Sequence, residues 1–181
     1  MNRELIEALA EYTHDPLAFV YFAFPWGEPD TPLANMKGPE PWQRELLASI
    51  RDGLKTPDQV IREATASGHG IGKSAATSWL ILWAMATHED TRGVVTANTE
   101  TQLRTKTWPE LIKWYQLFIG KELFSVTATS IFSLDKGHEK TWRIDAIPWS
   151  ENNTEAFAGL HNRGNRILVL FDEASAIANP I

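Results

Sequence analysis

A short stretch of glycines followed by lysine and serine has the composition of a phosphate-binding loop. Its residues are Ser67, Gly68, His69, Gly70, Ile71, Gly72, Lys73 and Ser74. They match the pattern G-x-x-x-x-G-K-[ST], except that serine replaces the first glycine. In such a loop the backbone N–H groups turn inward around the phosphates, Lys73 contacts the outer phosphates and the Ser74 hydroxyl ligates Mg²⁺. The alternative interpretation is a glycine-rich turn that binds no ligand. A strand is predicted before the stretch and a helix after it, and this arrangement favours a nucleotide-binding loop.

Two adjacent carboxylates, Asp172 and Glu173, follow the apolar run "ILVLF". Open α/β sheets bind their ligands at the carboxyl ends of the strands. We therefore predict that Asp172 holds Mg²⁺, mostly through its water shell, and that Glu173 polarises the attacking water as a general base. The alternative is a strand that simply ends in two solvated acids. Downstream of a phosphate-loop pattern, the pair favours ATP hydrolysis.

A glutamine upstream of the loop could recognise the base of the nucleotide. Gln43 follows Trp42 in "PWQRELL", and a side-chain amide can form a two-point hydrogen bond with adenine. An exposed glutamine on an amphipathic helix is an equally simple interpretation. With the loop and the carboxylates, Gln43 leads us to predict ATP and Mg²⁺ as cofactors.

The elements that would position these residues alternate between strands and helices. We predict a short helix over 2–10, an apolar segment over 15–27 and a loop over 28–41. A helix over 41–54 follows, which starts at Pro41 and has Gly53 near its end. The remaining predicted elements are a strand over 60–66, a buried helix over 73–88, a strand over 92–98, a helix kinked at Pro109, an antiparallel hairpin within 124–149, a helical patch around "TEAFAGLH" and a buried strand over 166–175. This order is typical of α/β proteins.

The adjacent Asp-Glu pair narrows the expected fold. It is typical of P-loop ATPases of the ASCE type, which place an extra strand between the two motifs, and residues 92–98 can form that strand. We predict a mainly parallel sheet flanked by helices, with the hairpin added to it. The expected activity is that of a Mg²⁺-dependent ATPase.

Composition excludes several other classes of protein. The 181 residues are 43% hydrophobic and 22% charged, contain no cysteine and carry a net charge of −6. We expect no membrane-spanning segment, since no apolar run approaches the ~20 residues that one needs. The absence of cysteine excludes disulfides and fits a cytoplasmic protein. The net negative charge argues against non-specific binding of nucleic acid over the whole protein surface.

Several segments in the same order resemble the N-terminal ATPase domain of phage terminase large subunits. The resemblance rests on the three motifs above together with "FAFPWG", "TANTETQLRTKTWPE" and "AFAGLHNRGNRILVLFDEAS". It implies a Walker A motif at 67–74, a Walker B motif at 167–173 and adenine binding by Gln43. It also implies a motor in the host cytoplasm that drives double-stranded DNA into a capsid, with the capsid portal protein and the terminase small subunit as partners. The subunits would form a homo-oligomer on the portal and be monomers in isolation.

The resemblance further implies an arginine finger supplied by a neighbouring subunit. Arg163 is the first candidate, followed by Arg166 and Arg104; a surface arginine without a catalytic role is the alternative. Many terminases have arginine at the third loop position. His69 stands there in this chain, and we expect it to face solvent.

The predicted organisation is an N-terminal helical segment and loop over 1–40 and an ATPase domain over 41–181. The sequence ends soon after the Walker B motif, so we expect no nuclease domain and weak or absent ATPase activity of this fragment alone.

A superfamily-2 helicase-like DNA translocase is an alternative function. Such helicases usually continue Asp-Glu into Ala-His, whereas this chain has Ala174-Ser175. A module that assembles on ATP without turnover is the other alternative. An ATPase assay with and without DNA separates these possibilities.

Overall fold

A five-stranded mixed sheet organises the chain. The computed structural model describes residues 2–56, 60–63, 72–150, 157, 160 and 164–172. The strands are β1 (Arg92–Ala97), β2 (Phe124–Val126), β3 (Ser130–Ser133), β4 (Arg143–Ala146) and β5 (Ile167–Asp172). Their order across the sheet is β2-β3-β4-β1-β5.

The sheet is parallel around β1 and antiparallel at its other side. β1 pairs in parallel with β4 and with β5, and in the second pairing Ala97 lies opposite Asp172. β3 pairs antiparallel with both β2 and β4, which confirms antiparallel pairing within 124–149. The segment predicted as one strand before the turn is itself a hairpin, because it folds back between Val126 and Ser130.

Six α-helices accompany the strands in the described part of the chain. They are α1 (Arg3–Ala10), α2 (Pro16–Ala23), α3 (Pro41–Gly53), α4 (Lys73–Thr87), α5 (Glu100–Gln102) and α6 (Trp108–Leu117). Local sequence explains several of their starts. The Asp15 side chain accepts a hydrogen bond from Ala18 N–H before α2, and proline begins both α2 and α3, where its missing N–H costs nothing.

The predicted kinked helix over 99–120 is three elements. A five-residue π-helical turn, Leu103–Thr107, separates α5 from α6. Pro109 lies in the first turn of α6. Its ring therefore marks the beginning of a helix, which is where proline is tolerated, and the irregularity comes from the π-turn that precedes it.

One hydrophobic core joins α1, α2, α4 and α6 to the sheet. α4 is buried along nearly its whole length, as its apolar sequence predicts. Tryptophan supplies much of this core: the rings of Trp79 and Trp114 lie 5.1 Å apart edge to face, and Trp26 packs on both. These contacts fix α4 against α6 and the loop after α2.

Close packing of β1 and β5 depends on Gly93. A Cβ atom at this position would overlap the carbonyl oxygen of Leu168 on β5. Any side chain would therefore push the two parallel strands apart. The strand pair carries Asp172 at its carboxyl end, so this spacing bears directly on the position of the carboxylate.

Two predictions about strands are wrong. Residues 60–63 of the predicted strand have no regular structure; Ile61 lies against Gly53, and Glu63 accepts a hydrogen bond from Ser49 at 2.6 Å, so this segment packs beside α3. β5 is not a buried strand. It lies at the edge of the described sheet, and alternate side chains on it are partly exposed: Ile167 43%, Val169 39% and Phe171 44%. The Phe171 ring also contacts the rings of Trp149 and Phe157.

Within the described residues, no helix combines the length and the apolar character needed to cross a membrane.

Candidate functional site

The start of α4 has the geometry of an anion-binding helix terminus. Gly72 precedes the helix in the left-handed conformation, with φ +72° and ψ 18°, and α4 begins at Lys73. Glycine has no side chain with which to cap the first turn. Among the described residues no side chain caps the first N–H groups of the helix, which can therefore face an anion, and the helix dipole adds a partial positive charge there. Lys73 and Ser74, both half-buried, lie in this turn.

Gln43 contacts this turn from α3. Its Nε2 donates to the Gly72 carbonyl at 2.9 Å, and its Oε1 accepts from the Glu40 N–H at 2.8 Å. Only one orientation of the amide satisfies both partners, since one is an acceptor and the other a donor. The side chain is 4% exposed. The structure thus brings the predicted adenine-binding residue to the end of the predicted phosphate loop, with both ends of its amide bonded to the protein.

Trp42, the neighbour of Gln43, lies at the same junction. A Cβ atom at Gly72 would be 3.9 Å from the Trp42 ring. The Trp42 Nε1–H is buried and has no hydrogen-bond partner among the described residues. An unpaired buried donor costs about 1–3 kcal/mol. The junction between α3 and α4 therefore holds one polar group that the described part of the chain leaves unsatisfied.

Asp172 ends β5 as a buried carboxylate. It is 5% exposed, and its Oδ2 accepts a hydrogen bond from the Thr107 hydroxyl at 2.5 Å. Thr107 is the last residue of the π-turn and is 1% exposed. Thr96, on β1 beside this end of β5, has a buried hydroxyl to which no described group hydrogen-bonds. The carboxyl edge of the parallel strands is thus a polar, mostly buried environment around one carboxylate.

Part of the predicted site falls outside the described residues. This holds for five residues of the loop pattern, for the predicted general base Glu173 and for the predicted arginine finger Arg163. The loop residues concerned are Ser67, Gly68, His69, Gly70 and Ile71. Gln43, Gly72, Lys73, Ser74 and Asp172 are described, and α4 and β5 contact each other.

The two further arginines considered as fingers differ in their surroundings. Arg166 stacks on Trp83, with its guanidinium carbon 4.1 Å from the ring centroid, and donates to Thr13 and Thr87. Burial lowers the pKa of Arg166 to about 10. Its contacts hold elements of its own chain together, which makes it a poor finger. Arg104 projects from the π-turn, mostly exposed, and pairs with Glu100 at 3.5 Å.

Sequence reasoning missed a polar cluster around His138. The His138 Nδ1 lies 2.8 Å from Asp90 Oδ1, while Glu89 and Asp135 offer oxygens 3.9 and 3.8 Å from its Nε2. The hydrogen bond between His138 and Asp90 raises the pKa of the histidine and lowers that of the carboxyl group. The ligand-type atoms of Glu89, Asp135 and His138 all lie within 4.8 Å of one another. The residues come from two distant turns, so no local spacing in the sequence points to the cluster.

Comparisons with known proteins add no relative. No protein-family model matches the chain, and a search of curated proteins finds no match.

Proposed function

We propose that the chain binds ATP with Mg²⁺ and hydrolyses it as the ATPase domain of a DNA-packaging terminase large subunit. The observation that carries the proposal is the start of α4. A left-handed Gly72 without a side-chain cap leads directly into Lys73 and Ser74 at the head of a long buried helix. The same three residues close the phosphate-loop pattern of the sequence.

The residues present fit a nucleotide with its metal. The uncapped first turn of α4 supplies N–H donors for phosphate oxygens, and Lys73 supplies the positive charge for the outer phosphates. The Ser74 hydroxyl and the Asp172 carboxylate are oxygen ligands of the kind that Mg²⁺ takes, directly or through water. Bound Mg²⁺ neutralises charge that develops on the phosphates.

Two residues outside the described part complete the proposed chemistry. Glu173, which follows Asp172 in the sequence, accepts a proton from the attacking water. Arg163 of a neighbouring subunit stabilises the charge of the transition state. The energy of hydrolysis then drives double-stranded DNA through a ring of subunits held on the capsid portal.

Binding of ATP tests the proposal most directly. We expect isothermal titration calorimetry to show ATP binding that Mg²⁺ strengthens, and Lys73→Ala to abolish it because the phosphate charge is left uncompensated. Lys140→Ala, in an exposed turn, is the matched control and should bind as the parent does. Equal affinity of Lys73→Ala and the parent, or no ATP binding by the parent, would contradict the proposal.

Turnover separates the proposal from its alternatives. We expect the subunit to hydrolyse ATP slowly alone and faster when portal and double-stranded DNA are both present. Stimulation by DNA alone, with unwinding or translocation in the absence of portal, would favour the helicase-like translocase. Tight ATP binding without turnover in the complete assembly would favour an assembly module.

A further inference from the structure

We propose that Thr107 is a positioning residue for the metal site: its hydroxyl holds one oxygen of the Asp172 carboxylate and leaves the other for the magnesium shell. The inference rests on the proposed function, because it takes Asp172 as the residue that faces Mg²⁺. It concerns a residue in the middle of the chain, outside the loop pattern and the Asp-Glu pair.

The contact is a short, charge-assisted hydrogen bond. Thr107 Oγ1 and Asp172 Oδ2 are 2.5 Å apart, within the range of hydroxyl–carboxylate bonds. An ionised carboxylate only accepts, so the hydroxyl donates. In the described part of the chain, Thr107 is the residue that hydrogen-bonds this carboxylate. Both side chains are almost fully buried, so water competes little for the bond.

The hydrogen bond of the Thr107 hydroxyl differs from those of two other threonine hydroxyls on helices of this chain. Thr105 donates to the Thr101 carbonyl at 2.6 Å, and Thr87 donates to the Trp83 carbonyl at 2.6 Å. This bond to the carbonyl four residues earlier is the common local choice for threonine in a helix. Thr107 instead donates across the fold to a residue 65 positions away.

The π-turn explains how Thr107 reaches Asp172. In this turn the Trp108 N–H donates to the Leu103 carbonyl, five residues back. A π-turn accommodates one residue more than an α-helical turn and so rotates the subsequent residues by about 100° around the helix axis. Thr107 is thereby directed to the edge of the sheet, while Arg104 and Lys106 in the same turn are exposed.

Neighbouring contacts fix the position of the turn. The Trp108 indole N–H donates to the Thr127 carbonyl at 2.7 Å, which anchors the start of α6 beside the β2–β3 turn. Leu103, at the other end of the π-turn, is buried in the core. The threonine side chain itself has few rotamers because it is branched at Cβ. The hydroxyl is therefore held in place before any ligand binds, as residues that orient a metal ligand usually are.

Removal of the hydroxyl at constant side-chain size tests the proposal. The variants are Thr107→Val, which keeps the shape without the donor, and Thr107→Ser, which keeps the donor. Thr105→Val is the matched control, because it removes a hydroxyl from the same π-turn that bonds only to backbone. For each protein, calorimetry measures ATP affinity across a series of free Mg²⁺ concentrations and in EDTA, and thermal unfolding is followed without nucleotide.

We expect Thr107→Val to weaken the Mg²⁺-dependent part of ATP binding by about 10–100-fold, as for other residues that orient metal ligands, with affinity in EDTA unchanged. Thr107→Ser should restore most of the loss, and Thr105→Val should match the parent. If Thr107→Val unfolds more easily but keeps the parental Mg²⁺ dependence, Thr107 only satisfies a buried carboxylate and the inference is overturned.

A second variant covers the case in which Thr107→Val does not fold. Thr107→Cys replaces the hydroxyl by a thiol, which is a weak donor, and removes the γ-methyl group. We expect it to weaken the Mg²⁺ dependence in the same direction; parental dependence would overturn the inference. If the parent binds ATP with Mg²⁺ and the Thr107 variants bind it equally well, the inference is contradicted but the proposed function is not. A parent that binds no ATP at all contradicts the proposed function, and the inference with it.

Discussion

The side-chain amide of Gln43 ties the start of α3 to the start of α4, since its Nε2 donates to the Gly72 carbonyl at 2.9 Å. That carbonyl also accepts the Ala76 N–H at 3.1 Å, so it serves both the helix and the glutamine. An adenine base would have to compete for an amide that already bonds at both ends. Gln43 consequently has a structural role that is independent of any role in reading the base.

Substitution of Gln43 measures that structural role. Gln43→Ala removes two buried hydrogen bonds, and we expect the free energy of unfolding without nucleotide to fall by about 1–3 kcal/mol. Chemical denaturation provides the measurement. Gln116→Ala, at an exposed position on α6, is the control and should change stability little. Unchanged stability of Gln43→Ala would mean that the amide contributes nothing between the two helices.

Gly72 should be intolerant of a side chain for two separable reasons. Its left-handed backbone costs a residue with Cβ about 1–2 kcal/mol, and the added atom would lie 2.5 Å from Gln43 Nε2. Gly137, with φ +87° and open space around its Cβ position, carries only the first cost. We expect Gly72→Ala to destabilise the protein more than Gly137→Ala does, and the excess to shrink in a Gln43→Ala background. Equal effects of the two glycine substitutions would rule out the steric part.

The pair of His138 and Asp90 should make stability depend on pH. Its hydrogen bond raises the pKa of His138 above the ordinary 6.5, so the histidine's contribution is complete below that value and is lost as pH rises through the folded pKa. The same bond lowers the pKa of Asp90, whose contribution is present above 3.8 and is lost as pH falls through the folded pKa. The pair therefore stabilises the fold most between these two values.

Thermal unfolding of the parent and of His138→Gln tests this window. We expect the difference in melting temperature to be largest at about pH 5–6 and to shrink above neutral pH as the imidazolium loses its proton. Glu89 and Asp135 also favour the charged histidine, so part of the difference should persist in an Asp90→Asn background. A difference that does not vary with pH would contradict the assignment.

Rings assembled from two kinds of variant subunit test the roles proposed for Glu173 and Arg163. Glu173→Gln should keep ATP binding and lose turnover by about 10²–10⁴-fold, because the amide cannot accept the proton of water. Arg163→Ala should also be inactive in the assembled motor. Rings that mix the two variants contain interfaces in which an intact Glu173 meets an intact Arg163, and these should recover ATPase activity. No recovery, with active wild-type rings under the same conditions, would exclude Arg163 as a finger acting between subunits.

Local signals in the sequence predict much of the architecture. α3 begins at Pro41 as predicted and ends at Gly53, one residue before the predicted end, and the apolar run after Lys73 forms the buried helix α4. The position of Gln43 beside Gly72 depends on how the start of α3 approaches the start of α4, which no local pattern encodes. The hydrogen bond between Gln43 and Gly72 therefore depends on tertiary structure.

The errors have tertiary causes as well. Val60 and Ile61 have strand-like propensity, yet Ile61 packs against Gly53 and the segment lies beside α3. Apolar periodicity does not reveal the π-turn, because a single added residue shifts the helical phase without changing composition. The contact between Thr107 and Asp172 depends on the approach of the π-turn to the sheet edge, which local sequence patterns do not predict.

Arg166 joins two parts of the chain that are far apart in the sequence. It donates to the Thr13 carbonyl at 2.6 Å across 153 positions of sequence, and β5 begins at the next residue. A chain emerging from the ribosome can form α1, α2 and α4 long before this contact is possible, and closing so long a loop is slow. Asp172 reaches Thr107 only once β5 has joined β1. The buried Asp172 carboxylate therefore takes its place only after the helices α1, α2 and α4, which precede it in the sequence, have been synthesised.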